Sequence, residues 1–303
     1  SSLSTSQSSS LAPAMGVSSA SSATPSTSNE KNRQALSSSN GKQASASSWS
    51  NPLIPVTRLT QLSTNVANVS TWDQLVGAWK NASVDEINIT TDISNASAPS
   101  GALDSRLSGN IIVNGNGHSV NLGRAGFHTR YNSATRDTLY TATFMNFAPL
   151  TGSFGNDAGL IGSTTGGDGG NAALNWTFNV SNITVPSGTR NSDTSRRFVS
   201  AEGNQVNVTG NCQVVTYREN ILCGGLNVAA GQTFTGSKLA TGDNNSFIWF
   251  VYDQQGTGDR KVNVEEDATL NCIRRPVDPN STAYTTYPVA VSYTHLRAHE
   301  TRR

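Results

Sequence analysis

The chain has 303 residues, enough for one large domain or two ordinary ones, and only 14% of them are charged, against an abundance of Gly, Asn, Ser and Thr. That balance suits strands and turns better than helices, which draw on Glu, Lys and Leu. A formal net charge of +1 and a pI near 7.7 leave no basic footprint for nucleic acid, and no apolar run approaches bilayer length, so neither nucleic-acid binding nor membrane insertion is expected.

Residues 1–55 are Ser-rich and low in large apolar side chains, with runs such as Ser8-Ser9-Ser10 and Ser37-Ser38-Ser39. Such a composition cannot bury enough surface to offset the entropy of ordering, so a linker or stalk is expected there. The chain begins at Ser1 without Met, so it carries no information on a signal peptide. The first structured element expected is a short helix over Ser70–Trp79. Thr71 and Gln74 have capping-box spacing, and Trp72, Leu75, Val76 and Trp79 fall on one helical face. An amphipathic helix of this kind can cover the raw end of a strand stack.

Strands follow. Val84, Ile87, Ile89 and Ile93 mark the first rung, and Ile111 and Val113 lead through the Asn114-Gly115-Asn116-Gly117 turn to Val120 and Leu122. Further strands are expected at 140–147, 173–185, 197–201 and 246–252. Gly152–Gly170 and Thr189–Arg196 read as projecting loops.

Three segments repeat one pattern. They are Val206-Asn207-Val208 running to Val214, Leu226-Asn227-Val228 running to Phe234, and Val262-Asn263-Val264 running to Leu270. Alternation around the Asn has the two-residue period of a half-buried strand. Recurrence at unequal steps suggests stacked rungs with loops of varying length. The fold class expected is therefore all-β, a right-handed parallel β-helix with an N-terminal capping helix. In register, Asn207, Asn227 and Asn263 would form an outward amide ladder, unless an extra rung around Phe247–Tyr252 interrupts it. Cys212, Cys223 and Cys272 form no zinc spacing and no closed disulfide set, and read as buried thiols; the repeat aligns Cys212 with Gln232 and Ala268.

The stretch Thr71-Trp72-Asp73-Gln74-Leu75-Val76, then Ile87-Asn88-Ile89-Thr90, then Ile112–Gly123, is similar to the opening of a known family. It resembles the pectate-lyase-like adhesive domains of surface proteins from lactobacilli, enterococci and related Gram-positive bacteria, over roughly residues 66 to 275. That resemblance implies a β-helix in a secreted, wall-associated protein, adhesive rather than enzymatic. The tail Val291–Arg303 resembles translated sequencing-adapter read-through, which places the natural β-helix over 56–290 as a truncated piece and sets aside the His295 and His299 pair at helical metal-binding spacing.

A lyase or hydrolase on this scaffold would need clustered carboxylates and a base. Asp104, Asp137, Asp157, Asp168, Asp193, Glu202, Glu219, Asp243 and Asp253 are scattered singly, and the Gly-flanked Asp168 reads as part of a loop. Arg190, Asp193, Arg196 and Arg197 form the densest charge cluster and read as a solvated loop; His118 and His128 lack a nucleophile motif. The sequons at Asn175 and Asn182 follow from composition. No catalytic, cofactor-binding or metal residue is assigned and no cofactor is called for. The expected function is a non-catalytic adhesion or display module that binds glycans or host extracellular matrix. The alternatives are a polysaccharide lyase or glycoside hydrolase and a passive spacer.

Overall fold

A computed structural model describes residues 65–95, 103–152, 159–163, 173–188, 194–240, 246–251, 256–276 and 290–293. All of them lie within the unit Arg58–Arg303. The expected stalk, His295, His299, Arg190 and Asp193 fall outside the described residues, as do Asp157, Asp168, Asp243 and Asp253.

A strand not foreseen from the sequence, β1 (Val66–Val69), precedes helix α1 (Trp72–Lys80). Thr71 is the N-cap, its Oγ1 accepting from Gln74 N at 3.3 Å, while Gln74 Oε1 accepts from Ser70 N at 2.8 Å. The capping box thus closes one residue earlier than its usual reciprocal form. Trp79 is fully buried and meets Phe127 at 5.3 Å and Phe144 at 5.9 Å between ring centroids. The helix therefore packs two turns of apolar side chains into the core beside the first rungs, and Trp79 belongs to that core.

The chain then coils. Three turns run through β2 (Glu86–Ile89), β3 (Ile93–Ser94) and β4 (Asp104–Arg106); β5 (Ile111–Asn114), β6 (Val120–Asn121) and β7 (Phe127–Thr129); and β8 (Tyr140–Phe147), β9 (Leu150–Thr151) and β10 (Ile161–Ser163). Next come β11 (Trp176–Val185), β12 (Val199–Val208), β13 (Cys212–Thr216), β14 (Ile221–Val228), β15 (Thr233–Ala240), β16 (Ile248–Val251), β17 (Val262–Val264), β18 (Thr269–Pro276) and β19 (Ala290–Tyr293). Every pairing among the described residues is parallel. Longer strands bend across corners, so β12 and β14 each serve the third face with their first residues and the first face with their last. The architecture is a parallel β-helix.

The first face stacks β1, β2, β5, β8, β11 and the ends of β12 and β14, then β17. Its inward column runs Ala67, Ile87, Val113, Phe144, Val180, Val208, Val228, Val264. Five of the corners from the first face to the second contain a left-handed residue: Asn116, Asn146, Asn182, Gly231 and Asp267 have φ of 50°, 59°, 53°, 69° and 57°, whereas the corners after Ile89 and Val208 turn without one. Asn and Asp tolerate that region better than other side chains, which suits them to four of these five corners. The corner amides also bond each other, Asn182 Nδ2 to Asn146 Oδ1 at 3.2 Å and Asn146 Nδ2 to Asn114 Oδ1 at 3.0 Å.

Val206, Leu226 and Val262 occupy one column, as the repeat requires. The step from Leu226 to Val262 is a single rung: β16 and β17 both stack on β14, so no extra rung separates Asn227 from Asn263. The second half of the repeat is displaced. Cys212, not Val214, pairs with Phe234, which pairs with Leu270. The corner after Val208 is two residues shorter than those after Val228 and Val264, so Gln232 and Ala268 are not the counterparts of Cys212. Gly210 permits that tight corner, since a Cβ there would come within 2.1 Å of Ser181 Oγ.

Two of the expected loops are partly built into the stack. Gly152–Gly170 contains β10, with Leu160 and Ile161 fully buried, and Thr194 and Ser195 are buried rather than projecting. Segment 256–260 returns over earlier rungs. Thr257 Oγ1 donates to Trp176 O and accepts from Gln205 N at 2.9 Å, and Gly258 N donates to Gly203 O at 3.0 Å. At β17, where no described rung follows, Val262 and Val264 remain 37% and 43% exposed.

Candidate functional site

Alternation along β8, β11 and β12 buries Ala142, Phe144, Phe178, Val180, Val206 and Val208 and sends Thr141, Thr143, Thr177, Asn179, Gln205 and Asn207 outward, each part-exposed. Register places Thr143, Asn179, Asn207, Asn227 and Asn263 in one outward column. The sequence pattern singled out the last three; Thr143 and Asn179 extend the column toward the N-terminus, and the signal was present in Phe178-Asn179-Val180, which repeats apolar-Asn-Val.

The column is hydrogen-bonded along the stack. Asn179 Nδ2 donates to Thr143 Oγ1 at 3.2 Å, Asn207 Nδ2 to Asn179 Oδ1 at 2.9 Å and Asn263 Nδ2 to Asn227 Oδ1 at 2.6 Å. The ladder breaks between Asn207 and Asn227. Gln205 Nε2 donates to Asn207 Oδ1 at 3.2 Å, and Asn227 Nδ2 turns to Glu265 Oε1 at 2.8 Å. A carboxylate is the stronger acceptor, so Glu265 draws the amide away from its neighbour.

The charged residues considered in the sequence fall elsewhere. Arg197 and Glu219 do not lie in a solvated loop. They are 4% and 2% exposed, with Nε and Oε2 at 2.8 Å and the guanidinium 5.3 Å from the centre of the Trp249 ring. They stand 22 residues apart in the chain, about one turn of the coil, and that separation is the only trace the sequence offered. Arg196 is part-exposed and Asp137 is 93% exposed beside Arg136. His118 Nδ1 lies 3.4 Å from Asp92 Oδ1 at the surface, whereas His128 is buried with Nε2 2.8 Å from Gly159 O. Asn175 is buried and Asn182 is an exposed corner residue. Among the described residues no three His, Cys, Asp or Glu side chains come together as a metal site. No helix among them is long and apolar enough to cross a membrane.

The three thiols are free. Burial pushes Cys212 up to about 12, raises Cys223 further, and raises the half-buried Cys272 to about 11. Thiol rather than thiolate is then present at neutral pH, and the thiolate is the reactive form. At about pH 8, an alkylating reagent is expected to spare Cys212 and Cys223 in the folded protein, to react slowly at Cys272, and to modify all three in denaturant. Fast native labelling of Cys223 would contradict its position in the core.

A family model, that of the pectate lyase-like adhesive domain, matches residues 66–223. No curated protein and no solved structure matches the chain. The matched segment opens at β1, takes in α1 and the first five turns, and ends inside β14, so it coincides with the capped, N-terminal part of the coil. By this match over just more than half of its length, and by the parallel β-helix that the same residues build, the chain belongs to the pectate lyase-like adhesive domain family.

Proposed function

We propose that the chain is a non-catalytic adhesion or display module of a secreted bacterial cell-surface protein, of Gram-positive wall-associated type, which binds glycan or extracellular matrix. The observation that carries this reading is the outward strip of β8, β11 and β12, where hydroxyl and amide side chains stand in register over successive rungs. A surface of this kind offers many repeated hydrogen bonds to a polymer. The family's adhesive description supports the same reading. In it, the Ser-rich residues 1–55 are a stalk that holds the coil away from the wall, the domain spans 56–290, and 291–303 is not native.

Immobilised mucin, fibronectin, collagen and bacterial or plant polysaccharides, probed with the purified full chain, provide the test. Saturable binding to at least one of them is expected, without release of oligosaccharide. Unsaturated or reducing oligosaccharides appearing in the supernatant would replace adhesion by a lyase or hydrolase. Binding to none of them would leave a passive spacer.

A further inference from the structure

We propose that the outward strip of β8, β11 and the end of β12 binds an uncharged, extended polysaccharide chain that lies along the stacking direction of the rungs, a ligand class that rests on the adhesive reading above. Charge is the first argument. Thr141, Thr143, Thr177, Asn179, Gln205 and Asn207 are all neutral; charged side chains flank the strip at Glu86, two rungs before Thr143 in the same column, and at its C-terminal border with Asp259, Lys261 and Glu265. An acidic polymer would find no cation there to repay its desolvation.

Hydrogen-bonding capacity is the second. An Asn amide carries two N–H groups and two carbonyl lone pairs. The ladder engages one N–H and one lone pair of Asn179 and of Asn207, and the Thr143 hydroxyl as an acceptor. The remaining groups suit sugar hydroxyls, which both donate and accept. Because the ladder already fixes the side chains, little rotamer freedom is lost when a ligand docks.

Spacing is the third. Rungs repeat at about 4.8 Å, close to the advance per sugar of an extended, equatorially linked pyranose chain, so successive sugars meet successive rungs. The other faces offer less. On the third face the outward positions His128, Ser200 and Leu222 are buried, and on the second the outward column Thr184, Gln213, Thr235, Asn271 holds a single long bond along the stack, Asn271 Nδ2 to Thr235 Oγ1 at 3.4 Å, which leaves Thr184 and Gln213 outside it.

Titration of the full chain with cellohexaose, chitohexaose, maltohexaose and an oligogalacturonate of the same length tests the proposal. The extended neutral oligomers are expected to bind best, with an affinity unchanged between about 0.1 and about 0.5 M NaCl. Thr177→Lys, which places a charge on the strip and leaves the ladder residues intact, is expected to weaken that binding by about tenfold or more. Gln213→Lys on the second face is expected to leave it unchanged. Matching circular dichroism and unfolding temperatures establish that both variants are folded. Preference for oligogalacturonate with strong salt dependence, or undiminished binding by folded Thr177→Lys, would overturn the strip and leave adhesion standing. Binding to mucin or matrix with none to any of these oligomers would do the same. Failure in both assays would remove the adhesive reading itself.

Discussion

Replacing Arg106 by Met is expected to destabilise the coil by about 3–5 kcal/mol, a loss in the range of the most damaging single substitutions. The side chain is fully buried, yet its guanidinium donates to five carbonyls: Trp79 O at 2.9 Å, Asn81 O at 3.2 Å, Val84 O at 3.0 Å, Gly109 O at 3.1 Å and Asn110 O at 3.2 Å. It also lies over the Trp79 ring at 5.7 Å. Trp79 and Asn81 are at the C-terminus of α1, whose last carbonyls have no partners within the helix. Arg106 therefore ties the capping helix to β4 and to the turn before β5. Burial pulls the guanidinium down to about 10, with the Asp85 charge acting in the opposite direction, so the cation is held at a desolvation cost that the carbonyls offset. Met matches the stem but leaves those oxygens without their donors, and the carbonyls of Trp79 and Val84 are buried acceptors that folding has taken from water. Urea unfolding followed by Trp fluorescence measures the effect. Loss confined to α1 and the first rungs would be read by hydrogen exchange; a change below about 1 kcal/mol would mean that water replaces the guanidinium.

The parts of the fold legible in the sequence are those that local periodicity encodes. Apolar-Asn-apolar alternation marked Val206, Leu226 and Val262 as one column because burial on one side of a strand imposes a period of two. The capping helix was legible through Thr71 and the Trp72, Leu75, Val76, Trp79 face, since cap and stripe are both local. What the alignment of repeats missed depends on corner length. Gly210 lets the chain turn two residues sooner, and every later side chain of that rung shifts against its neighbours, so Cys212 meets Phe234. The strand β10 was hidden in a Gly-rich stretch for a related reason. Gly162 lies where a Cβ would come within 1.9 Å of Ser200 O, so this rung needs Gly where others have a side chain, and the strand signal weakens.

The candidate strip was half legible. The amide column could be read from three repeats, but its continuation to Thr143 requires knowing that β8 and β11 are neighbours across a separation of 36 residues. Its interruption was not foreseeable either, because Glu265 reaches Asn227 across 38 residues. Arg106 shows the same limit. Its acceptors at Trp79, Asn81 and Val84 lie more than 20 residues away, and nothing in the local sequence distinguishes it from a surface arginine.

Breaking the Arg197–Glu219 pair is the second substitution expected to be severe. Glu219→Leu alone should cost about 3–5 kcal/mol, because it leaves the guanidinium charged in the interior beside Trp249 without its carboxylate. Arg197→Met alone should cost a similar amount by stranding Glu219, which is 2% exposed. Two desolvated charges repay their burial mainly through each other, so the double variant Arg197→Met, Glu219→Leu is expected to be more stable than either single one. The pair joins the segment before β12 to the turn before β14, adjacent levels of the coil, and Asn220 next to it donates to Thr216 Oγ1 at 2.8 Å and to Ser237 O at 3.0 Å. An apolar replacement of both charges therefore keeps contact between those levels and removes only the electrostatic term. A double-mutant cycle by denaturant unfolding gives the coupling, expected at about 2 kcal/mol or more. Additive losses would show that each charge is held by its other surroundings, and that the close approach of the two is a consequence of the coil rather than one of the contacts that stabilise it.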